Sequence, residues 1–172
     1  GMIHPNMATL LGFIITDINI SQKLLQQALK KVTKNTFNMI SVDRDTSTND
    51  MVLALSNKSA KNELIIDERS VDYKVFLKGL EMVCDDLARQ IAKDGEGASK
   101  LITAIVQNAE SKRVARKLAK SIISSNLVKC AMYGNDANWG RILCAMGYAG
   151  VDFTKEKLDL SISSKAGKIV VM

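Results

Sequence analysis

Hydrophobic and polar positions follow two periods along this chain. Residues 10–16, LLGFIIT, form an apolar run of strand length, entered from the polar turn His4-Pro5-Asn6. Over residues 21–34 the period lengthens. Leu24, Leu25, Ala28, Leu29 and Val32 recur at steps of three and four behind Ser21, which predicts a capped helix. Residues 40–42 predict a short strand, 43–50 (DRDTSTND) a polar turn, and 51–55 a return to strand character. A longer helix is predicted from Ser70 to about residue 93. Phe76, Leu80, Val83, Leu87 and Ile91 share one face of it, and Gly95 and Gly97 lie beyond its end.

The second half alternates in the same manner. Residues 100–106 predict a strand, 110–125 a helix, 127–132 another strand, and 138–146 a short helix closed by Gly147 and Gly150. Residues 158–162 and 168–172 predict a hairpin around Ala166-Gly167. Long helices between strands place the chain in the α/β class, with mixed sheet layers and packed helices. There is no internal repeat, low-complexity tract or linker, and one proline, Pro5, so residues 1–172 read as a single domain. The last run, KIVVM, stops inside strand character, which predicts a partner strand beyond the chain or a truncated piece.

Composition narrows the classes further. Apolar residues make up 47% and charged residues 24%, ordinary for a soluble globular protein. No apolar run approaches the ~20 residues of a membrane span. The first residues lack the basic start of a secretory signal, so the cytoplasm is the expected setting and no membrane partner is expected. Cys84, Cys130 and Cys144 are far apart and form no CxxC pair. They read as reduced, mostly buried thiols rather than a zinc or disulfide framework. The net charge of +6 owes much to Lys112, Arg113, Arg116, Lys117 and Lys120, opposite the apolar Val114, Leu118, Ile122 and Ile123. A solvated helical face outweighs a nucleic-acid patch, because no aromatic residues interleave the charges. No nucleic-acid partner is expected.

Candidate chemistry starts from exclusion. His4 is the one histidine, which leaves no His-rich metal site; it reads as a loop residue rather than a triad base. Thr9 offers another route. At a strand start a threonine is an ordinary β residue. It is also a nucleophile if a preceding peptide bond is cut, because its own α-amine then serves as base. Ala8 before it is small, and residues 10–15 behind it form a platform. Glu96, between two glycines in Asp94-Gly95-Glu96-Gly97-Ala98, is either a solvated residue at a helix end or a carboxylate placed to bind an ammonium group. Asn135-Asp136-Ala137-Asn138-Trp139-Gly140-Arg141 reads as a capping turn whose tryptophan lies in the core or a groove wall. Asp45-Thr46-Ser47-Thr48-Asn49-Asp50 reads as a turn held by its own side chains, or as the lining of a site.

Taken together and in order, GMIHPNMATLLGFIITD, VDRDTSTND, DGEGA and LVKCAMYGNDANWGRILCAMGYAG closely resemble the bifunctional ornithine acetyltransferase family of arginine biosynthesis, also called glutamate N-acetyltransferase. The resemblance covers nearly the whole chain. It implies a precursor that cuts itself between Ala8 and Thr9, and a fold related to the N-terminal-nucleophile type. It implies that Thr9 carries acetyl from N-acetylornithine to glutamate by a ping-pong route, with no cofactor and no metal. Glu96 matches the family's substrate-binding glutamate. The implied partner is the α chain of the same precursor, in an α₂β₂ heterotetramer.

Departures from the family pattern are few. Leu10 stands where methionine is common, Arg44 replaces a frequent glycine, and Asn135 and Ala137 replace the usual Glu and Pro. The family's Thr-Gly oxyanion hole and a lysine lie upstream of the stretch matched here, and further substrate contacts lie downstream of it. Residues 1–172 by themselves are therefore expected to stay uncut and inactive. The alternative reading is a non-catalytic α/β fragment that serves as a structural or binding module.

Overall fold

Each of the five α-helices among the described residues starts on a side chain that accepts a main-chain N–H. Ser21 takes the Leu24 amide at 3.4 Å, Ser70 that of Tyr73 at 3.2 Å, and Ser111 that of Val114 at 3.2 Å. Ser125 takes the Val128 amide at 3.4 Å and Asn138 that of Arg141 at 3.2 Å. Each satisfies one of the amides that a helix start leaves without a partner. The computed structural model describes residues 10–44 and 49–171. Its contacts divide the chain into two compact units, Gly1–Gly97 and Ala98–Met172.

In the first unit, β1 (Leu11–Thr16) and β2 (Met51–Ser56) form a parallel pair in register from Leu11↔Met51 to Thr16↔Ser56. Between them in sequence runs α1 (Gln22–Thr33), and after them α2 (Val71–Lys93). The two helices pack on each other and on one face of the sheet. Ile14, Leu24, Ala28, Val32, Leu80 and Cys84 are part of that core. The other face of the sheet is apolar and exposed: Leu11, Phe13, Ile15, Met51, Leu53 and Leu55 all lie on it. Parallel sheets are usually buried on both faces, so this bareness is unusual.

In the second unit α3 (Lys112–Ser124), α4 (Asn126–Tyr133) and α5 (Trp139–Gly147) pack around Val114, Leu118, Ile122, Val128, Ile142 and Ala145. A hairpin of β3 (Ser161–Ser164) and β4 (Gly167–Val170) follows, with Ser164 paired to Gly167. Gly167 takes φ +143°, a backbone state that side chains rarely allow.

The α/β class holds, and five sequence expectations are corrected. Residues 127–132 are helical, not a strand, because Ser125 caps a turn that continues to Tyr133. Residues 100–106 alternate in exposure as a strand does, yet join no ladder among the described residues. Residues 40–42 follow a short 3₁₀ turn, Phe37–Met39, and form no strand. On α2 the buried line runs through Tyr73, Leu80, Cys84 and Ala88, so that Val83 points outward. Of the cysteines only Cys84 is buried; Cys130 and Cys144 are exposed. Burial in an apolar core pushes the Cys84 thiol up to about 11.

Candidate functional site around the start of the first strand

The ladder between β1 and β2 begins one residue before β1. The Met51 N–H donates to the Leu10 carbonyl at 2.8 Å. Asp50 Oδ1 in turn accepts the Leu10 N–H at 2.8 Å. Both main-chain polar groups of Leu10 are therefore held, and its nitrogen belongs to the peptide bond that joins it to Thr9. The second carboxylate oxygen, Asp50 Oδ2, is buried and has no hydrogen-bond partner among the described residues. Thr9, Ala8, His4 and residues 45–48 of the DTSTND turn lie outside the described residues.

Glu96 sits where α2 gives way to a loop. The Asp94 N–H closes the helix on the Gln90 carbonyl at 2.9 Å. Gly95 is buried, and a Cβ there would stand 3.1 Å from Val42 Cγ1. Gly97 adopts φ +68°, the left-handed state open to glycine. These two glycines turn the chain sharply and leave Glu96 exposed between them. Val42 begins the segment that leads through Arg44 to Asp50. Arg44 itself has φ +77°. Gly95 thus lies against Val42, and Asp50 against Leu10 at the start of β1. No hydrogen bond between Glu96 and Leu10 or Asp50 is present among the described residues.

The second unit places the remaining candidates. Asn135 has φ +58°, a state asparagine tolerates, and so turns the chain after α4. The Lys100 ammonium donates to the Met132 carbonyl, to the Tyr133 carbonyl at 3.0 Å and to Asn135 Oδ1 at 2.5 Å. It thereby caps the end of α4 with a positive charge, where the helix dipole favours one. Trp139 is 46% exposed, so it lies on the surface and not in the core. The stretch from Asn135 to Arg141 is a capping turn in the structure. On α3, Lys112, Arg113, Arg116 and Lys117 are exposed, as a solvated face requires. Lys120 differs. It is half-buried, and desolvation together with the charge of Lys129 holds its ammonium down to about 7. Among the described residues no group of three acidic, histidine or cysteine side chains is arranged to hold a metal. No helix among them is long and apolar enough to cross a membrane.

Sequence reasoning names Asp50 only as part of the Asp45–Asp50 segment, a turn or the lining of a site, and does not single it out. It was legible as one polar residue in a turn of eight. Its position beside Leu10 depends on a pairing between segments 40 residues apart.

Known proteins resemble this chain over nearly its whole length. The arginine biosynthesis bifunctional protein ArgJ 1 of Clostridium acetobutylicum is 56% identical over 169 residues, 98% of this chain and 41% of that protein. The arginine biosynthesis bifunctional protein ArgJ of Bacillus subtilis is 51% identical over 165 residues, 96% of this chain and 40% of that protein. In fold, the crystal structure of the arginine biosynthesis bifunctional protein ArgJ from Bacillus halodurans matches with a TM-score of 0.85 at 50% identity. That match covers 88% of this chain and 70% of the other. The chain spans about two fifths of the length of the curated relatives it matches. A match to the ArgJ family extends over residues 1–172, and on that match, with the identities and the shared fold, the chain belongs to the ArgJ family.

Proposed function

We propose that this chain is the threonine-nucleophile part of an acetyltransferase of arginine biosynthesis, acting in the cytoplasm. In this reading the Thr9 hydroxyl adds to the Ala8 carbonyl carbon. The Ala8–Thr9 C–N bond breaks, the hydroxyl proton passes to the nitrogen, and water hydrolyses the resulting ester. Thr9 is left with a free α-amine, and Ala8 with a carboxylate. That amine then takes the Oγ proton while Oγ attacks the acetyl carbon of N-acetylornithine. Ornithine leaves with the proton on its nitrogen. The amine of glutamate attacks the acetyl-threonine ester next, and Oγ regains a proton. Glu96 binds the amino-acid substrate through its carboxylate. No cofactor or metal enters. The partner is the α chain of the same precursor, in an α₂β₂ heterotetramer that supplies the oxyanion donors.

The observation that carries this reading is the sequence NMATLLGFIIT inside a chain of the ArgJ family. A candidate nucleophile precedes Leu10, the residue before β1, which is held at both main-chain polar groups. An N-terminal nucleophile needs that rigidity, because its amine and hydroxyl must share one geometry. The test uses a complete ArgJ-family polypeptide carrying these residues. Thr9→Ala abolishes acetyl transfer, and Thr9→Ser retains part of it. Normal turnover by the alanine variant overturns the reading. Residues 1–172 expressed alone give one uncut polypeptide by mass spectrometry, because oxyanion donors are worth ~10²-fold or more in rate. A species beginning at Thr9 in that sample shows the cutting machinery to lie within these residues.

A further inference from the structure

Asp50 is bound on one side only. Oδ1 holds the Leu10 N–H at 2.8 Å, while Oδ2 is buried with no partner among the described residues. Buried polar atoms are nearly always paired, so an orphaned carboxylate oxygen calls for a donor outside the described residues. Covalent connectivity names the nearest candidate. Three bonds join the Thr9 nitrogen to the Leu10 nitrogen whose N–H Oδ1 holds. In the uncut chain that nitrogen is an amide with one N–H. Cutting the Ala8–Thr9 bond turns it into an amine or ammonium with two or three. The cut thus creates further donors at that nitrogen.

We infer that Asp50 is a positioning residue for Thr9: one oxygen anchors the Thr9–Leu10 peptide, and the other receives the α-ammonium freed at Thr9. The inference rests on the acetyl-threonine reading above and adds the group that holds the amine beside the hydroxyl. A carboxylate suits this place, because a charge-assisted hydrogen bond is both stronger and shorter than a neutral one. Held together with the Leu10 N–H, it also restrains rotation about the Thr9 Cα–C bond, which sets where the amine points.

The experiment uses a complete ArgJ-family polypeptide bearing these residues, with Thr9 exposed by protease release, so that turnover does not depend on self-cutting. Asp50→Asn keeps an acceptor for Leu10 and removes the charge at Oδ2; Asp50→Ala removes both. Asp50→Asn is expected to retain the melting temperature and the exchange protection of the Leu10 amide. Its kcat falls at least tenfold, with KM within twofold. Asp50→Ala loses kcat, protection and melting temperature together. An Asp50→Asn enzyme that turns over at the unaltered rate, or that loses affinity alone, overturns the inference. Thr9→Ala made in the same form is the separate control. Acetyl transfer by that variant overturns the acetyl-threonine reading instead.

Discussion

Lys120 on α3 lies near enough to Lys129 on α4 for the second charge to bear on the first. Burial comes first and that charge second; together they bring the Lys120 ammonium from 10.5 to about 7. Between those two values the unfolded chain holds a proton that the folded chain has released. Stability from this group therefore rises as pH climbs from about 7 toward 10.5, and below 7 the full penalty applies. Lys120→Met removes the penalty. Thermal unfolding of the two proteins is expected to show the variant more stable at pH 6.5, with the gap closing by pH 10. A gap that does not change with pH contradicts this.

Arg44 holds φ +77° at a position where glycine relieves the steric cost of that state. Arg44→Gly is expected to stabilise the fold by about 0.5–1 kcal/mol, since the unfolded chain's added freedom offsets part of the gain. Denaturant unfolding at constant m-value reads this directly. Destabilisation by the glycine variant shows that the arginine side chain contributes more than its backbone costs.

The two faces of β1 separate core from surface at adjacent residues. Ile14 is 8% exposed and Ile15 is 78% exposed. Ile14→Ala is expected to cost about 2–4 kcal/mol through lost burial and the cavity it leaves. Ile15→Thr stays within about 0.5 kcal/mol, because a β-branched residue remains on an exposed face. Equal losses at both positions, read by chemical denaturation of the chain, show that the Ile15 face is covered.

Glu96 is exposed on a loop shaped by Gly95 and Gly97, and its proposed task is binding. Glu96→Gln in a complete ArgJ-family enzyme is expected to raise KM more than it lowers kcat, as lost ground-state binding does. Gly97→Ala forces a side chain into φ +68° and displaces the same loop. It is expected to raise KM in the same direction. Steady-state kinetics with glutamate varied decide it, and a loss confined to kcat assigns Glu96 to proton chemistry.

Local chemistry was readable from the sequence. Ser21 and Ser70 announced helices at the residues where the structure starts them, because a cap acts within three residues of itself. The turn at Ala166-Gly167 and the strand at 11–16 were legible for the same reason. So was the family, since its motifs are contiguous stretches in a set order. The tertiary structure decided what depends on distant segments. Residues 127–132 carry strand-like side chains, yet Ser125 and the packing of Val128 among α3 and α5 make them a helix. Residues 100–106 alternate as a strand does and still join no ladder among the described residues, because pairing needs a second chain segment beside the first. Cys130 and Cys144 looked apolar in sequence, but on their helices they face outward. Lys120 looked like one more solvated charge until α4 set Lys129 near it. Asp50 gained its place beside Leu10 only when two strands 40 residues apart paired in parallel. Propensity acts over one helical turn; burial, register and shifted charge are set by whatever the rest of the chain brings alongside.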